Sequence, residues 1–183
     1  MNKADARKEV RQRLSAADIA ERALWDGEIA RHCRGVLDKE NCGAVCIYNA
    51  LPQEAATRSI IDYALDKGIK VYLPVVRGDD MYLVRASEDT RYVNGAYGIS
   101  EPEGEELAPE QLKIDIVFTP MLAFTDAMGR IGKGKGYYDR FFLRCNGAKR
   151  IGIAYSIQYV QGVDMQAHDV RMQKIITEKG ISD

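Results

Sequence analysis

The sequence predicts an α/β protein with a mostly parallel sheet covered by helices on both faces. Three observations carry this. Short apolar runs recur at GAVCIY (43–48), KVYLPVV (70–76), IDIVFTP (114–120) and RIGIAY (150–155). Segments with helical spacing of apolar residues alternate with these runs, and strand–helix alternation implies parallel pairing with both faces covered. The 183 residues are 46% hydrophobic and 29% charged, ordinary values for one globular domain, so a single domain over 1–183 is expected.

Each element has its own warrant. From Lys3 to Lys39 the apolar positions Val10, Leu14, Trp25, Ile29, Cys33 and Val36 keep a helical period. Ser15 followed by Asp18 reads as a new start, so two helices are expected with a break at Leu14–Ser15. The first strand follows Gly43. A helix over Glu54–Lys67 carries Ile60, Ile61, Ala64 and Leu65 and closes at Gly68. Lys70–Val76 and Met81–Ala86 are the next strands. Ser87–Pro109 is a loop-rich stretch, acidic at EPEGEE and holding two of the five prolines. Strand 114–120 precedes a glycine-rich loop, Tyr137–Arg144 begins a helix, and RIGIAY and KIITEK (174–179) complete the strands. No internal repeat or low-complexity tract is visible. In such sheets ligands bind at the carboxyl ends of strands.

Composition narrows the function. The net charge is -1, so no global field favours nucleic acid or an anionic membrane, and any positive site is local. Cys33, Cys42, Cys46 and Cys145 form no Cys-x-x-Cys pair, and only two histidines could assist a metal. A reduced, cytoplasmic setting is therefore expected. The N-terminus is charged throughout, unlike a signal peptide, and no apolar run approaches a membrane span.

GRIGKGKGYYDR (129–140) is the most informative stretch. Glycines let backbone N–H groups approach phosphate oxygens without a Cβ in the way. Arg130, Lys133 and Lys135 add charge, and the helix that follows turns its positive end toward the loop. Asp139, just inside that helix, suits a magnesium ion that takes its other ligands from phosphate. Tyr137 and Tyr138 offer ring faces and hydroxyls. No Ser or Thr follows a Gly-Lys pair, so this is not a Walker A loop. Gly132, Gly134 and Gly136 alternate too closely for the dinucleotide fingerprint. A polyphosphate beside a flat ring accounts for the cations and aromatics, whereas a solvated surface loop accounts only for the glycines.

The same stretch resembles the signature of the 5-formyltetrahydrofolate cyclo-ligase (methenyltetrahydrofolate synthetase) family. KADAR near the start, IYNALPQEAATRSIIDYALDKGIKVYLPVV, MYLVRA, YGISEP, DIVFTPMLAF and AHDVRM follow in that family's order and cover nearly the whole chain. The resemblance implies a Rossmann-like three-layer α/β/α sandwich. It also implies an ATP- and Mg2+-dependent ligase that closes 5-formyltetrahydrofolate to 5,10-methenyltetrahydrofolate, releasing ADP and phosphate. Nucleotide contacts are implied at Lys3, Arg7, Arg130, Gly132, Lys133, Gly134, Lys135, Gly136, Tyr137 and Tyr138. Lys3 and Arg7 are four apart and share a helix face, a spacing that by itself also fits a solvated surface.

Folate contacts are implied at Glu54 and at Lys133, Gly134, Lys135, Gly136 and Tyr137. Tyr48 and Asn49 join them as residues at the end of the first strand. A carboxylate suits the N–H donors of a pterin edge, although a glutamate before a helix also stabilises the dipole. Magnesium is implied at Asp139 and Asp169; by position Asp169 also reads as a turn residue after His168. Lys133, Lys135 and Tyr138 are the expected catalytic groups, with no covalent Ser or Cys intermediate. The expected partners are the reduced folate and ATP, with no nucleic acid and no membrane, and the expected state is a monomer.

Two departures border this site. Met128 stands where the family's glycine follows Ala-Phe-Asp, which is here Ala123-Phe124-Thr125-Asp126, and no proline precedes the His-Asp segment. A related enzyme acting on another formamide, or a non-catalytic binder of nucleotide or RNA phosphate, are the alternatives.

Overall fold

The computed structural model describes residues 1–95, 100–145, 147–163, 165–166 and 169–183. Parts of the YGISEP and AHDVRM segments, including His168, and of the 164–167 stretch that lacks the proline lie outside the described residues.

Helix α1 (Lys3–Ala16) is capped by Asn2, whose side-chain oxygen accepts from the amides of Ala4 and Asp5, both at 2.9 Å. It buries Ala6, Val10 and Leu14, one stripe at a spacing of four. Helix α2 (Ile19–Lys39) begins at Asp18, whose carboxylate accepts from Ala20 and Glu21. Ser15 thus lies inside α1 and the break falls at Ala17–Asp18. A carboxylate is the better N-terminal group, because it satisfies free amides and also complements the helix dipole.

The main sheet contains β1 (Ala44–Ile47), β2 (Lys70–Arg77), β3 (Asp80–Ala86), β6 (Glu106–Leu107), β7 (Ile116–Pro120), β10 (Lys149–Ile153), β11 (Lys174–Thr177) and β12 (Gly180–Ser182). Their order is β12-β11-β10-β7-β1-β2-β3-β6. The five central strands, from β11 to β2, pair in parallel; β12, β3 and β6 pair antiparallel at the two edges. Two small hairpins stand apart, β4 (Tyr92–Asn94) with β5 (Ser100–Pro102), and β8 (Ala123–Phe124) with β9 (Arg130–Ile131).

Strand side chains alternate between faces, and here both faces are apolar. Val45, Ile47, Val71, Leu73, Ile116 and Phe118 pack beneath α1, α2 and α3 (Arg58–Asp66). Ala44, Cys46, Tyr72 and Val117 pack on the other face against Phe141 and Phe142 of α4 (Tyr137–Arg144). The result is the three-layer α/β/α arrangement.

Helix α3 starts at Arg58 rather than Glu54. Residues 50–57 form an irregular loop between β1 and α3, and Thr57 spends its hydroxyl on the carbonyl of Tyr48 at 2.7 Å. At the carboxyl edge of the sheet, the adjacent strands β10, β7 and β1 lead into three segments. These are the turn at Tyr155, the β8–β9 hairpin with its glycine loop, and the loop carrying Glu54. That convergence makes this edge the candidate site.

Candidate active site

The glycine loop is set by the arginines around it. Gly134 has φ of 99° and Gly136 has φ of 69°, both in the region that favours glycine. A Cβ on Gly132 would stand 2.6 Å from Arg130 Nη1, one on Gly134 3.6 Å from Arg7 Cζ, and one on Gly136 2.9 Å from Arg140 Nη1. Gly132 and Gly136 therefore leave room for the guanidiniums of Arg130 and Arg140, whereas Gly134, where a Cβ would meet Arg7 only at ordinary contact distance, is required by its positive φ. Gly136 then caps α4, and Tyr137 and Tyr138 open that helix.

Arg130 lies on β9 with its side chain only 5% exposed. Its Nη2 donates to Asp139 Oδ1 at 2.9 Å, and its guanidinium sits 5.6 Å from the Tyr138 ring centroid. Among the described residues its buried Nε has no hydrogen-bond partner. A buried charged donor without an acceptor is costly, so this atom fits a site completed by an anion.

Two long-range pairs close the site. Lys133 Nζ donates to Glu54 Oε1 at 2.8 Å, joining positions 79 residues apart. Lys3 Nζ donates to both carboxylate oxygens of Asp169, at 2.6 and 2.5 Å. Arg7 Nε donates to the Gly132 carbonyl at 2.8 Å, so α1 braces the glycine loop through Arg7 and holds Asp169 through Lys3. Lys135 is exposed and makes no hydrogen bond or ion pair among the described residues. The glycine loop, α1, Glu54 and Asp169 are thus linked by direct contacts.

Tyr48 and Asn49 have structural partners. Tyr48 is 3% exposed and donates its hydroxyl to the Ala55 carbonyl at 2.9 Å. Asn49 donates to the Ser100 carbonyl at 2.8 Å, tying the site loop to β5. Burial pushes the Tyr48 and Tyr138 phenols well above their ordinary values, with the Glu54 charge adding to both. Both hydroxyls therefore remain protonated donors at neutral pH.

The β2–β3 turn joins the site in a way that periodicity does not reveal. Tyr137 donates its hydroxyl to the Gly78 carbonyl at 3.2 Å, and Arg140 donates to the Asp79 carbonyl through Nε and Nη2. The Arg140 guanidinium also lies 5.3 Å from the Tyr137 ring centroid. The only sequence signal is the RGDD turn at 77–80, which gives no partner.

Met128 has φ of 55°, a left-handed conformation in a residue other than glycine. It closes the β8–β9 hairpin, where Thr125 accepts from the Gly129 amide through its hydroxyl and donates its own amide to the Gly129 carbonyl. The backbone keeps the shape a glycine would favour, at a cost of roughly 1–2 kcal/mol.

The donor set suits magnesium carried by a nucleotide. Asp139 and Asp169 are hard carboxylate donors, and no cluster of three or more His, Cys, Asp or Glu exists among the described residues. A protein-only cage is therefore absent there, and a magnesium ion would need phosphate oxygens as further ligands. Asp139 and Asp169 are each paired to a cation, so ion binding would exchange those partners.

The family model described as "5-formyltetrahydrofolate cyclo-ligase family" matches residues 1–178. The chain belongs to this family of ligases. A probable 5-formyltetrahydrofolate cyclo-ligase of Caenorhabditis elegans is 32% identical over 146 residues, 72% of this chain and 71% of that one. The corresponding Schizosaccharomyces pombe protein is 31% identical over 127 residues, 64% of this chain and 62% of that one. In three dimensions the chain is similar to Aquifex aeolicus 5,10-methenyltetrahydrofolate synthetase. The TM-score is 0.82 with 29% identity, covering 98% of this chain and 91% of that one. The Mycoplasma pneumoniae synthetase shares the fold at TM-score 0.80 and 24% identity, covering 97% and 99%.

Proposed function

We propose that this family member cyclises 5-formyltetrahydrofolate to 5,10-methenyltetrahydrofolate with ATP and Mg2+, releasing ADP and phosphate. The observation that carries the reading is the 2.8 Å contact between Lys133 and Glu54. It brings the loop suited to polyphosphate against the carboxylate suited to a pterin edge, so that both substrates can meet.

A formyl group on nitrogen is a poor electrophile because the nitrogen lone pair is delocalised into the carbonyl. In the proposed sequence the formyl oxygen attacks the γ-phosphorus and the bond to the ADP oxygen breaks. This leaves a phosphorylated iminium. Nitrogen 10 then attacks the activated carbon, its proton is lost, and phosphate departs as the five-membered ring closes. The protein's task is positioning, charge neutralisation and exclusion of water.

Lys133 and Lys135 neutralise charge on the transferring phosphoryl group, and Arg130 holds the nucleotide from beneath through its Nε, which has no partner among the described residues. Lys3, Arg7 and the amides of Gly132, Gly134 and Gly136 flank the phosphates. Glu54 accepts from the pterin edge, Tyr48 and Asn49 border that pocket, and Tyr137 and Tyr138 line it. Asp139 and Asp169 would hold magnesium, which when bound shields the phosphate oxygens and orients them. No side chain becomes covalently attached to substrate. The enzyme acts as a monomer in the cytoplasm.

Oxygen labelling tests the sequence of bonds. Substrate carrying 18O in the formyl group should deliver that label to inorganic phosphate. Label retained in a released formate or lost to water would rule out attack by the formyl oxygen.

A further inference from the structure

The Glu54 loop has no regular hydrogen-bond ladder of its own, yet its backbone is gripped on both sides by one helix. Arg22 and Asp26 lie one turn apart on α2. Arg22 Nη2 donates to the Pro52 carbonyl at 2.6 Å, two residues before Glu54. Asp26 Oδ1 accepts from the Ala56 amide at 2.9 Å, two residues after it. Tyr155, which follows β10, donates its hydroxyl to the same Asp26 oxygen at 2.7 Å and lies 3.3 Å from the carbonyl of Glu54 itself. The Arg22 guanidinium sits 5.3 Å from the Tyr155 ring centroid, and Trp25 packs on that ring at 5.5 Å.

Within the loop, the Leu51 amide donates to Glu54 Oε2 at 3.0 Å, leaving Oε1 for Lys133. The carboxylate direction is thus fixed by backbone that α2 and Tyr155 hold.

We propose that Arg22, Asp26 and Tyr155 form a clamp of positioning residues that presents the Glu54 carboxylate to the folate. The inference rests on the folate role given to Glu54 above. All four clamp contacts end on loop backbone or on Asp26, and none reaches the glycine loop, so the clamp acts on folate binding and leaves nucleotide binding alone. Packing alone would not divide the two substrates in this way.

The test is steady-state kinetics on the full chain with each substrate varied in turn, for Asp26→Ala, Asp26→Asn, Tyr155→Phe and Arg22→Ala, with Glu54→Gln as reference. Asp26→Ala removes one acceptor that serves two donors and should raise the folate KM about tenfold, with the ATP KM within about twofold of the parent. Tyr155→Phe and Arg22→Ala should shift the same constant in the same direction by smaller factors. Asp26→Asn keeps an oxygen at the same place and should restore most of the folate affinity. Arg22 and Asp26 are half-buried on α2, so their variants keep the core, and circular dichroism verifies folding.

If Glu54→Gln raises the folate KM but Asp26→Ala does not, or raises both KM values alike, the clamp is refuted while the role of Glu54 stands. If Glu54→Gln itself leaves the folate KM unchanged, the role of Glu54 fails and the clamp fails with it.

Discussion

Replacing Lys133 with alanine separates the chemistry of the glycine loop from its packing. The Lys133 side chain is 51% exposed and its Glu54 partner 14% exposed. An ion pair this open contributes about 0.2–1 kcal/mol. For a domain of this length 1 kcal/mol shifts Tm by roughly 2–4 °C, so Lys133→Ala should lower Tm by no more than about 4 °C. The catalytic cost is of another order. Losing one preorganised donor from a developing negative charge costs about 10²–10³ in kcat, or roughly 2.7–4 kcal/mol. Lys135→Ala removes an exposed side chain without a partner among the described residues, so its stability cost should be near zero while its catalytic cost matches that of Lys133→Ala. Thermal unfolding followed by circular dichroism gives the first quantity. Near-ultraviolet absorbance of the conjugated methenyl product under saturating Mg-ATP gives the second. If both variants retain turnover within a few-fold of the parent, the assignment of these lysines to the phosphoryl group is wrong.

Three further outcomes follow from the geometry. Arg130→Ala breaks a pair whose arginine is 5% exposed and whose aspartate is 32% exposed. It should cost roughly 2–3 kcal/mol, below the usual value for a fully buried pair, and abolish measurable ATP binding by calorimetry. Gly132→Ala puts a methyl group 2.6 Å from Nη1 of Arg130, a guanidinium that the bond from its Nη2 to Asp139 keeps from moving aside. That variant should lose roughly 1–3 kcal/mol in denaturant titration and lose activity beyond what the stability loss explains. The third concerns alkaline pH. Burial raises all four thiols above their ordinary value of 9.0, with Cys42 and Cys145 pushed up to about 11. Above pH 9 the unfolded chain loses thiol protons that the folded chain keeps, so the unfolded state binds fewer protons and stability falls as pH rises. Urea midpoints should hold steady up to about pH 8.5 and drop steeply between about 9 and 11. A flat profile there would mean that the thiols are not shielded by the fold.

The layers of the fold were legible because each central strand is an apolar run and each covering helix carries a regular stripe. Val10 and Leu14 placed α1, Ile60, Ile61 and Ala64 placed α3, and the helix expected to begin over Tyr137–Arg144 is α4, which also ends at Arg144. The hairpins β4–β5 and β8–β9 were not legible, since two- or three-residue strands are too short to show a period. The break between α1 and α2 falls at Asp18 rather than Ser15 because the carboxylate of Asp18 meets the free amides of Ala20 and Glu21, a contact that spacing alone does not give. In the site, local spacing gave the cations and glycines of the loop and the shared face of Lys3 and Arg7. It did not give the partners. Lys133 with Glu54, Lys3 with Asp169 and Tyr137 with Gly78 meet only through the tertiary fold. The reason for the glycines was equally hidden, because the close approach of Arg130 to Gly132 and of Arg140 to Gly136 is set by the fold.

Delivery of a phosphoryl group by the glycine loop to a formyl oxygen on reduced folate is the proposed reaction. It is tested most directly by mixing the purified protein with 5-formyltetrahydrofolate and Mg-ATP and following the methenyl absorbance, with ATP omitted in parallel. The band should grow only when ATP is present, with one ADP formed per methenyl product. A flat trace from folded protein that still binds ATP would contradict it and leave the loop as a phosphate site for another substrate.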